Sequence, residues 1–335
     1  MKVNSNRDYS LDFLRGLAVI FMIITHVIAI FYTGNNNIID WFEWWGATIC
    51  FTTFLFVFSV LYGLKLSKDT IDTTKQVKRF VTILISYYAI ALWVSLFYKD
   101  YSITNILLFV EQPEFTEFII TFGWYILIIS LFQKQLKPLL NRPLTLFIIG
   151  ILLYSSSLFL YNSETSNLFT SLIKSQLVGY NNWHTFGVLT YSPVFFMGLW
   201  WGNTILHDSS SHSHKISKMI ATITAGLLLL TYFFQLSTWH RWPPSALFLL
   251  YGIAFCWIIV TVWPYVKTWY LITSPILSVG QKALTYYFGH LIILMPLILV
   301  IPTESVPAIE TAMLVIAIFA LLKAFILLPK RSHWH

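Results

Sequence analysis

Two ionisable side chains, Arg15 and His26, lie eleven residues apart in the apolar segment LDFLRGLAVIFMIITHV. At about 100° per residue, eleven residues make three helical turns plus about 20°, so both side chains share one helix face, about 16 Å apart along the axis. A guanidinium binds anions such as phosphate, and an imidazole is the usual general base near neutral pH. Ionisable groups in apolar spans are costly and usually face a protein interior or a watery cavity. The pair predicts a functional site; alternatively, Arg15 reaches lipid headgroups and His26 is a structural core histidine.

Asp12 lies three residues before Arg15, so the two side chains are neighbours on a helix surface. This spacing predicts an ion pair. The alternative is a carboxylate that only stabilises the N-terminal turn of the helix.

The composition is that of a membrane protein. Of the 335 residues, 57% are hydrophobic and 10% charged, and the mean hydropathy is +0.70. Apolar runs of about 20 residues recur along the chain, which favours helices over the short alternating segments of a β-barrel. The net charge of +7 comes from basic residues in short loops, so it indicates membrane topology and no nucleic-acid partner. Cys50 and Cys256 both lie in apolar runs, so neither a disulfide framework nor a cysteine-rich metal site is expected.

Hydrophobic periodicity predicts an all-α, polytopic transmembrane bundle of about ten spans, with residues 1–335 forming one domain. The longest loops, about 99–116 and 162–185, are both predicted to be external. No internal repeat of the kind found in many transporters is evident. The predicted spans are 11–32, 44–65, 79–98, 117–134, 143–161, 186–206, 216–236, 244–264, 281–301 and 308–328.

The basic residues set the orientation of these spans. Arg15, Lys282 and Lys323 fall inside spans, and nearly all the remaining lysines and arginines lie on the side that holds both termini. Because cytoplasmic loops are rich in Lys and Arg, both termini are predicted to be cytoplasmic. Only three basic residues lie on the other side: Lys99, Lys174 and Arg241.

The opening segment resembles the first helix of the acyltransferase-3 family of membrane acyltransferases, which carries an Arg or Lys, ten residues, and then a His. Segment 54–66 resembles the family's second helix, with Val60 at a usual glycine position, and segment 77–88 resembles the third, with Ser86 at a usual proline position. Further similar segments follow in order: GWYILIISLF (123–132), FGVLTYSPVFFMGLWWG (186–202) and VGQKALTYYFGHLIIL (279–294). A related branch, the heparan-glucosaminide acetyltransferase-like bacterial membrane proteins, is similar in LDFLRG and RWPPSALFLLYG (241–252).

This resemblance implies transfer of an acyl group, commonly acetyl, from cytosolic acyl-CoA to a hydroxyl of an extracytoplasmic glycan or envelope molecule. Acyl-CoA would be a co-substrate, with no permanently bound cofactor and no metal. The chain would be a multi-pass protein of the bacterial inner membrane, acting alone or with an oligomeric or other protein partner. His26 would accept the proton of the acceptor hydroxyl or carry the acyl group itself. Arg15, Lys78 and Arg79 would bind the phosphates of the donor.

Several other polar residues are weaker candidates for the substrate site. His184 precedes the sixth span at the predicted outer face, and His290 lies in the ninth span, eight residues after Lys282. Each of these candidates has an alternative reading as a packing, interfacial or loop residue. The remaining candidates are Lys282, Ser59, Tyr87, Trp124 and Tyr125.

Two other function classes compete with the enzyme. A transporter could export a glycan or an acylated metabolite without acyl transfer, using Arg15 and His26 as substrate or proton sites. A purely structural membrane protein is disfavoured because intramembrane charge without function is costly. An acyltransferase consumes acyl-CoA when an acceptor is present, whereas a transporter moves its substrate without it.

The predicted orientation can be tested with fused reporters. Reporters placed after Lys137 and after Arg331 should report a cytoplasmic location, and one in the 162–185 loop should report an external location. The measurement is the activity of a reporter that folds on one side only. The opposite pattern would reverse the donor and acceptor sides.

Overall fold

The computed structural model of the chain describes residues 8–98, 101–109, 112–165, 167–179, 186–207, 210–234 and 239–327. Within these ranges the regular structure is α-helical, apart from one isolated bridge between Tyr32 and Val306. The helices are α1 (Tyr9–Phe31), α2 (Asn37–Lys68), α3 (Thr73–Ser95), α4 (Ile103–Leu107), α5 (Glu117–Leu139), α6 (Pro143–Tyr161), α7 (Leu168–Val178), α8 (Ser192–His207), α9 (Ser210–Phe234), α10 (Ala246–Val266), α11 (Tyr270–Gln281), α12 (Ala283–Leu297) and α13 (Ala308–Leu327).

Each predicted span overlaps a helix of the structure, which confirms an all-α, polytopic bundle. Seven of the described helices (α1, α2, α3, α5, α6, α10 and α13) are long and apolar enough to cross a membrane. Helices α8 and α12 are shorter, and α9 begins with the polar stretch SSHSHK. Three helices were not predicted from the sequence: α4 and α7 in the two long loops, and α11 immediately before α12.

Local caps explain where two of the central helices begin. Asp8 accepts a hydrogen bond from the backbone N–H of Ser10 at the start of α1. The Asn36 side chain accepts from Ile38 N–H and Ile39 N–H, so α2 begins seven residues before the predicted span at 44. Side-chain caps of this kind satisfy N–H groups that have no partner within the helix.

Hydrogen bonds join loops that were predicted to share a membrane side. At the predicted outer side, the backbone N–H groups of Glu304 and Val306 donate to the carbonyl oxygens of Ile30 (2.9 Å) and Phe31 (2.8 Å). At the predicted inner side, Ser67 Oγ lies 2.7 Å from Asn203 Oδ1, which links α2 to α8. The end of α1 and the α12–α13 loop therefore lie together, as alternating spans require.

Large apolar side chains cover much of the outer surface of the bundle. Phe159 of α6 is 80% exposed and Ile316 of α13 is 69% exposed. Continuous apolar surface on this scale is rare in water-soluble proteins. The outward faces of these helices are therefore suited to lipid tails, and the chain is an integral membrane protein.

Helix α2 lies at the centre of the bundle and packs against α1, α8 and α10. Glycines on both helices allow the close approach of α2 to α8. A methyl group on Gly63 would lie 2.1 Å from the Leu199 carbonyl oxygen, and one on Gly202 would lie 2.1 Å from that of Val60. Small residues allow this close backbone contact in membrane bundles, where apolar burial alone does not drive helices together.

A matched pair of glycine variants tests this contact. We expect Gly202→Ala to destabilise the protein by about 1–3 kcal/mol, because the added methyl group meets the backbone of α2. Gly226→Ala is the control, since nothing lies within 4 Å of a methyl group there and alanine favours helix. Thermal unfolding in detergent measures both variants. Equal midpoints would refute the role assigned to the α2–α8 contact.

Candidate functional site

The sequence-predicted histidines His26 and His290 contact each other directly. His26 Nδ1 on α1 lies 2.8 Å from His290 Nε2 on α12. His290 is fully buried, and its Nδ1 lies 3.2 Å from the backbone carbonyl oxygen of Tyr286, one turn earlier on α12. A continuous hydrogen-bonded chain therefore runs from a backbone carbonyl through His290 to His26.

His26 is partly exposed, and it lines a cavity of about 290 Å³ toward the predicted external ends of α1 and α2, here called the outer cavity. The charged residues in its wall come from separate parts of the chain. Glu43 belongs to α2, Glu114 precedes α5, Glu117 begins α5, and Arg241 lies before α10. Glu117 is 5% exposed, so its carboxyl group is almost entirely within the protein.

Arg241 is the cation in this wall. Its guanidinium carbon lies 5.1 Å from the centre of the Trp242 ring and 6.0 Å from that of Phe186. Its buried Nε has no hydrogen-bond partner among the residues that the structure describes. Arg241 therefore lies against aromatic faces in the wall of the outer cavity.

Two tyrosines hold the segment that leads into α5. The Tyr287 hydroxyl donates to the carbonyl oxygen of Phe115, whose φ of 72° is unusual for a residue other than glycine. The Phe115 ring centre lies 4.5 Å from that of His26. Tyr98, beyond the end of α3, donates to Glu114 Oε2 at 3.2 Å. Burial, with the Glu114 carboxylate beside it, raises the pKa of Tyr98, so this hydroxyl keeps its proton.

A second cavity, of about 460 Å³, lies nearer the predicted cytoplasmic end of α1 and is here called the inner cavity. Its wall contains Arg15 and Lys282, with apolar side chains such as Leu61 and Ile83 around them. Arg15 Nη1 lies 3.4 Å from Asp12 Oδ1, which confirms the predicted ion pair. Lys282 occupies the break between α11 and α12.

Two aromatic side chains, Phe54 of α2 and Phe118 of α5, line both cavities. Their ring centres are 6.2 Å apart and their planes differ by only 4°. Tyr287 of α12 packs edge-on against Phe118, with 4.8 Å between ring centres. We call Phe54 and Phe118 the aromatic partition, because they separate the cavity that contains Arg15 from the cavity that contains His26.

The sequence pattern that defines the acyltransferase-3 family, described as an acyltransferase domain, matches residues 8–328. The chain belongs to the acyltransferase-3 family. It is therefore an integral membrane acyltransferase, and the family resemblance predicted from its sequence is confirmed. None of the curated proteins compared with the chain matches it significantly. The relation to the heparan-glucosaminide branch stays a prediction.

Four of the residues that the sequence predicted as weaker candidates for the substrate site lie outside the walls of both cavities. Ser59 donates to the Leu55 carbonyl within α2, and Tyr125 donates to the Val188 carbonyl at 2.7 Å. Trp124 Nε1 donates to Gln176 Oε1 at 2.9 Å, and Tyr87 is fully buried against Phe109. The contacts of Trp124 and Tyr125 join α5 to the segment around α7, and the contact of Tyr87 joins α3 to the segment after α4.

The two predicted donor-binding residues at the start of α3 are exposed and line neither cavity. Arg79 Nη1 lies 3.4 Å from Gln76 Oε1, one turn earlier, and Lys78 lies beside it on the chain. Their role with the donor stays a prediction. His184 lies outside the described residues.

The acidic wall of the outer cavity was not predicted from the sequence. Arg241 was predicted only as a basic residue of the outer side, and Glu43, Glu114 and Glu117 were not predicted as site residues. Glu117 carries a usable signal, because it is an ionisable residue at the beginning of an apolar span, as Arg15 is. Among the described residues, no group of three His, Cys, Asp or Glu side chains could hold a metal ion.

Proposed function

We propose that this acyltransferase moves an acyl group, most simply acetyl, from cytosolic acyl-CoA to a hydroxyl of an extracytoplasmic glycan or envelope molecule. One observation carries the proposal: Arg15 and His26 line two cavities that meet at the aromatic partition. Such an arrangement suits a donor and an acceptor that approach from opposite sides of a bilayer. The proposed location is the bacterial inner membrane, which would have acyl-CoA on its cytoplasmic side and the glycan acceptor on its outer side.

The inner cavity has the chemistry expected of a donor site. Phosphates bind well to guanidinium and ammonium groups, which Arg15 and Lys282 supply. The long, thin arm of coenzyme A that carries the thioester would extend along the apolar wall toward Phe118. Acyl-CoA would therefore act as a co-substrate that enters and leaves, without a permanently bound cofactor.

The outer cavity has the chemistry expected of a polyol site. The carboxyl oxygens of Glu43, Glu114 and Glu117 can accept hydrogen bonds, and sugar hydroxyls donate them. Aromatic faces such as Trp242 present apolar surface to the C–H groups of a sugar ring. Arg241 would donate to a ring or carbonyl oxygen of the acceptor. These features favour a neutral sugar over a polyanionic acceptor.

The reaction needs one proton acceptor at the boundary between the cavities. His26 would take the proton of the acceptor hydroxyl while that oxygen attacks the thioester carbonyl. The C–S bond then breaks, the new ester remains on the acceptor, and the proton passes from His26 to the departing thiolate. In a two-step route, the same imidazole would carry the acyl group before the acceptor takes it.

Purified protein in lipid nanodiscs tests the activity directly. With acetyl-CoA and a glycan acceptor, coenzyme A thiol should appear together with acetylated acceptor, detected by mass spectrometry. His26→Ala should lower kcat by about 10²–10⁴-fold, as loss of a general base does. Thiol release without acetylated product for every hydroxyl acceptor, or full activity of His26→Ala, would contradict the proposal.

The division of labour between Arg15 and His26 predicts different kinetic effects. Arg15→Ala should raise the KM for acetyl-CoA about ten-fold or more, because it removes a charged hydrogen-bond donor. His26→Ala should change kcat far more than KM.

Lys218→Ala is the matched control, since Lys218 is an exposed cation that lines neither cavity. The same assay with Lys78→Ala and Arg79→Ala tests the prediction made from sequence for those residues. Equal losses of kcat at unchanged KM for Arg15→Ala and His26→Ala would overturn the division.

The aromatic partition predicts protection of the thioester from water. Phe118→Ala should raise acetyl-CoA hydrolysis severalfold in the absence of acceptor, because it opens a path between the cavities. Phe122→Ala is the control, since Phe122 lines only the inner cavity. Thiol release without acceptor measures both. If the two variants hydrolyse acetyl-CoA equally, the partition does not exclude water.

A further inference from the structure

The contact between His26 and His290 determines which of their ring nitrogens carry protons. His290 Nδ1 faces the carbonyl oxygen of Tyr286, which can only accept a hydrogen bond. His290 Nδ1 must therefore carry a proton. In a neutral imidazole the other nitrogen is then an acceptor, so His290 Nε2 accepts from its partner.

That partner is His26 Nδ1, at 2.8 Å. Because one of the two facing nitrogens must donate, His26 Nδ1 carries the proton between them. A neutral His26 then has its lone pair on Nε2. This nitrogen has no hydrogen-bond partner among the described residues, and His26 lines the outer cavity.

Both rings are expected to be neutral in this arrangement. His290 is 0% exposed, and among the residues that the structure describes neither ring forms an ion pair or a hydrogen bond with a carboxylate. An isolated charge would be costly at such a position. Protonating His290 at Nε2 would also place two donors face to face, whereas a proton taken up by His26 at Nε2 during the reaction leaves the contact intact.

We propose that His290 is a positioning residue that holds His26 in the Nδ1–H tautomer, so that Nε2 is the basic atom presented to the outer cavity. This inference rests on the proposed role of His26 and extends it to a residue that would not touch either substrate. The arrangement follows the logic by which a second group orients a catalytic histidine and fixes its tautomer. Here a neutral imidazole, itself fixed by a helix carbonyl, replaces the usual carboxylate.

Two substitutions of His290 separate positioning from packing. His290→Leu fills the space but cannot accept a hydrogen bond, so we expect kcat to fall by about 30-fold or more. The KM for acetyl-CoA should stay within about two-fold, because His290 lines neither cavity. In His290→Gln the side-chain oxygen can accept from His26 Nδ1–H, so kcat should stay within about five-fold of wild type.

Recovery by glutamine is the readout that a structural role would not produce. Thermal unfolding in detergent identifies a variant that fails to fold, and only folded variants are compared. Similar kcat values for folded His290→Leu and wild type would overturn the proposal. A kcat for His290→Gln as low as that of His290→Leu would also overturn it.

The tautomer itself can be observed without any activity. Solid-state NMR of the ¹⁵N-histidine-labelled protein, with His26→Ala to assign the signals, should show His26 protonated at Nδ1 and unprotonated at Nε2. His290→Leu should shift His26 toward the Nε2–H form. A wild-type His26 protonated at Nε2 would refute the proposal. A protein with the expected tautomer but no acyl transfer would instead refute the proposed function.

Discussion

An imidazole inside an apolar bundle needs a partner, and the structure meets this need by pairing His26 with His290. The pair joins α1, near the start of the chain, to α12, near its end. Loss of either ring from this contact would be costly, because the other ring would be buried without a hydrogen-bond partner. The contact therefore fixes the rotation of both helices about their axes. With α1 held in this orientation, Arg15 lies in the wall of the inner cavity, because it is three helical turns before His26 on the same face.

Basic side chains predominate in the inner cavity and acidic side chains predominate in the outer cavity. The inner cavity has Arg15 and Lys282, with Asp12 as the partner of Arg15, whereas Glu43 and Glu117 are in the outer cavity with Arg241. Apolar rings lie between the two sets, in a region where a bare charge would be poorly solvated. An anionic donor is thus attracted to one end of the passage and disfavoured at the other. Transfer then requires only the uncharged acyl end of the donor to reach the acceptor.

Local regularities of the sequence predicted what depends on a single helix. The shared face of Arg15 and His26 and the Asp12–Arg15 ion pair follow from helical periodicity, and each needs no knowledge of any other segment. The His26–His290 contact joins residues 264 positions apart, so periodicity could identify each histidine but could not pair them. The acidic wall was missed for the same reason.

Two of the weaker site candidates, Trp124 and Tyr125, were predicted by residue type alone. Trp124 and Tyr125 lie on α5 near the site, but their polar atoms are engaged by Gln176 and by the Val188 carbonyl. A hydroxyl or an indole N–H in a span usually finds a partner, and that partner is more often structural than catalytic.

The break at Lys282 has a further consequence, because α12 begins there and Ala283, Leu284 and Thr285 line the inner cavity. The first turn of a helix exposes free amide N–H groups, which can donate hydrogen bonds to an anion. This attraction for anions resides in the backbone, so some phosphate affinity should survive even when both nearby basic side chains are removed.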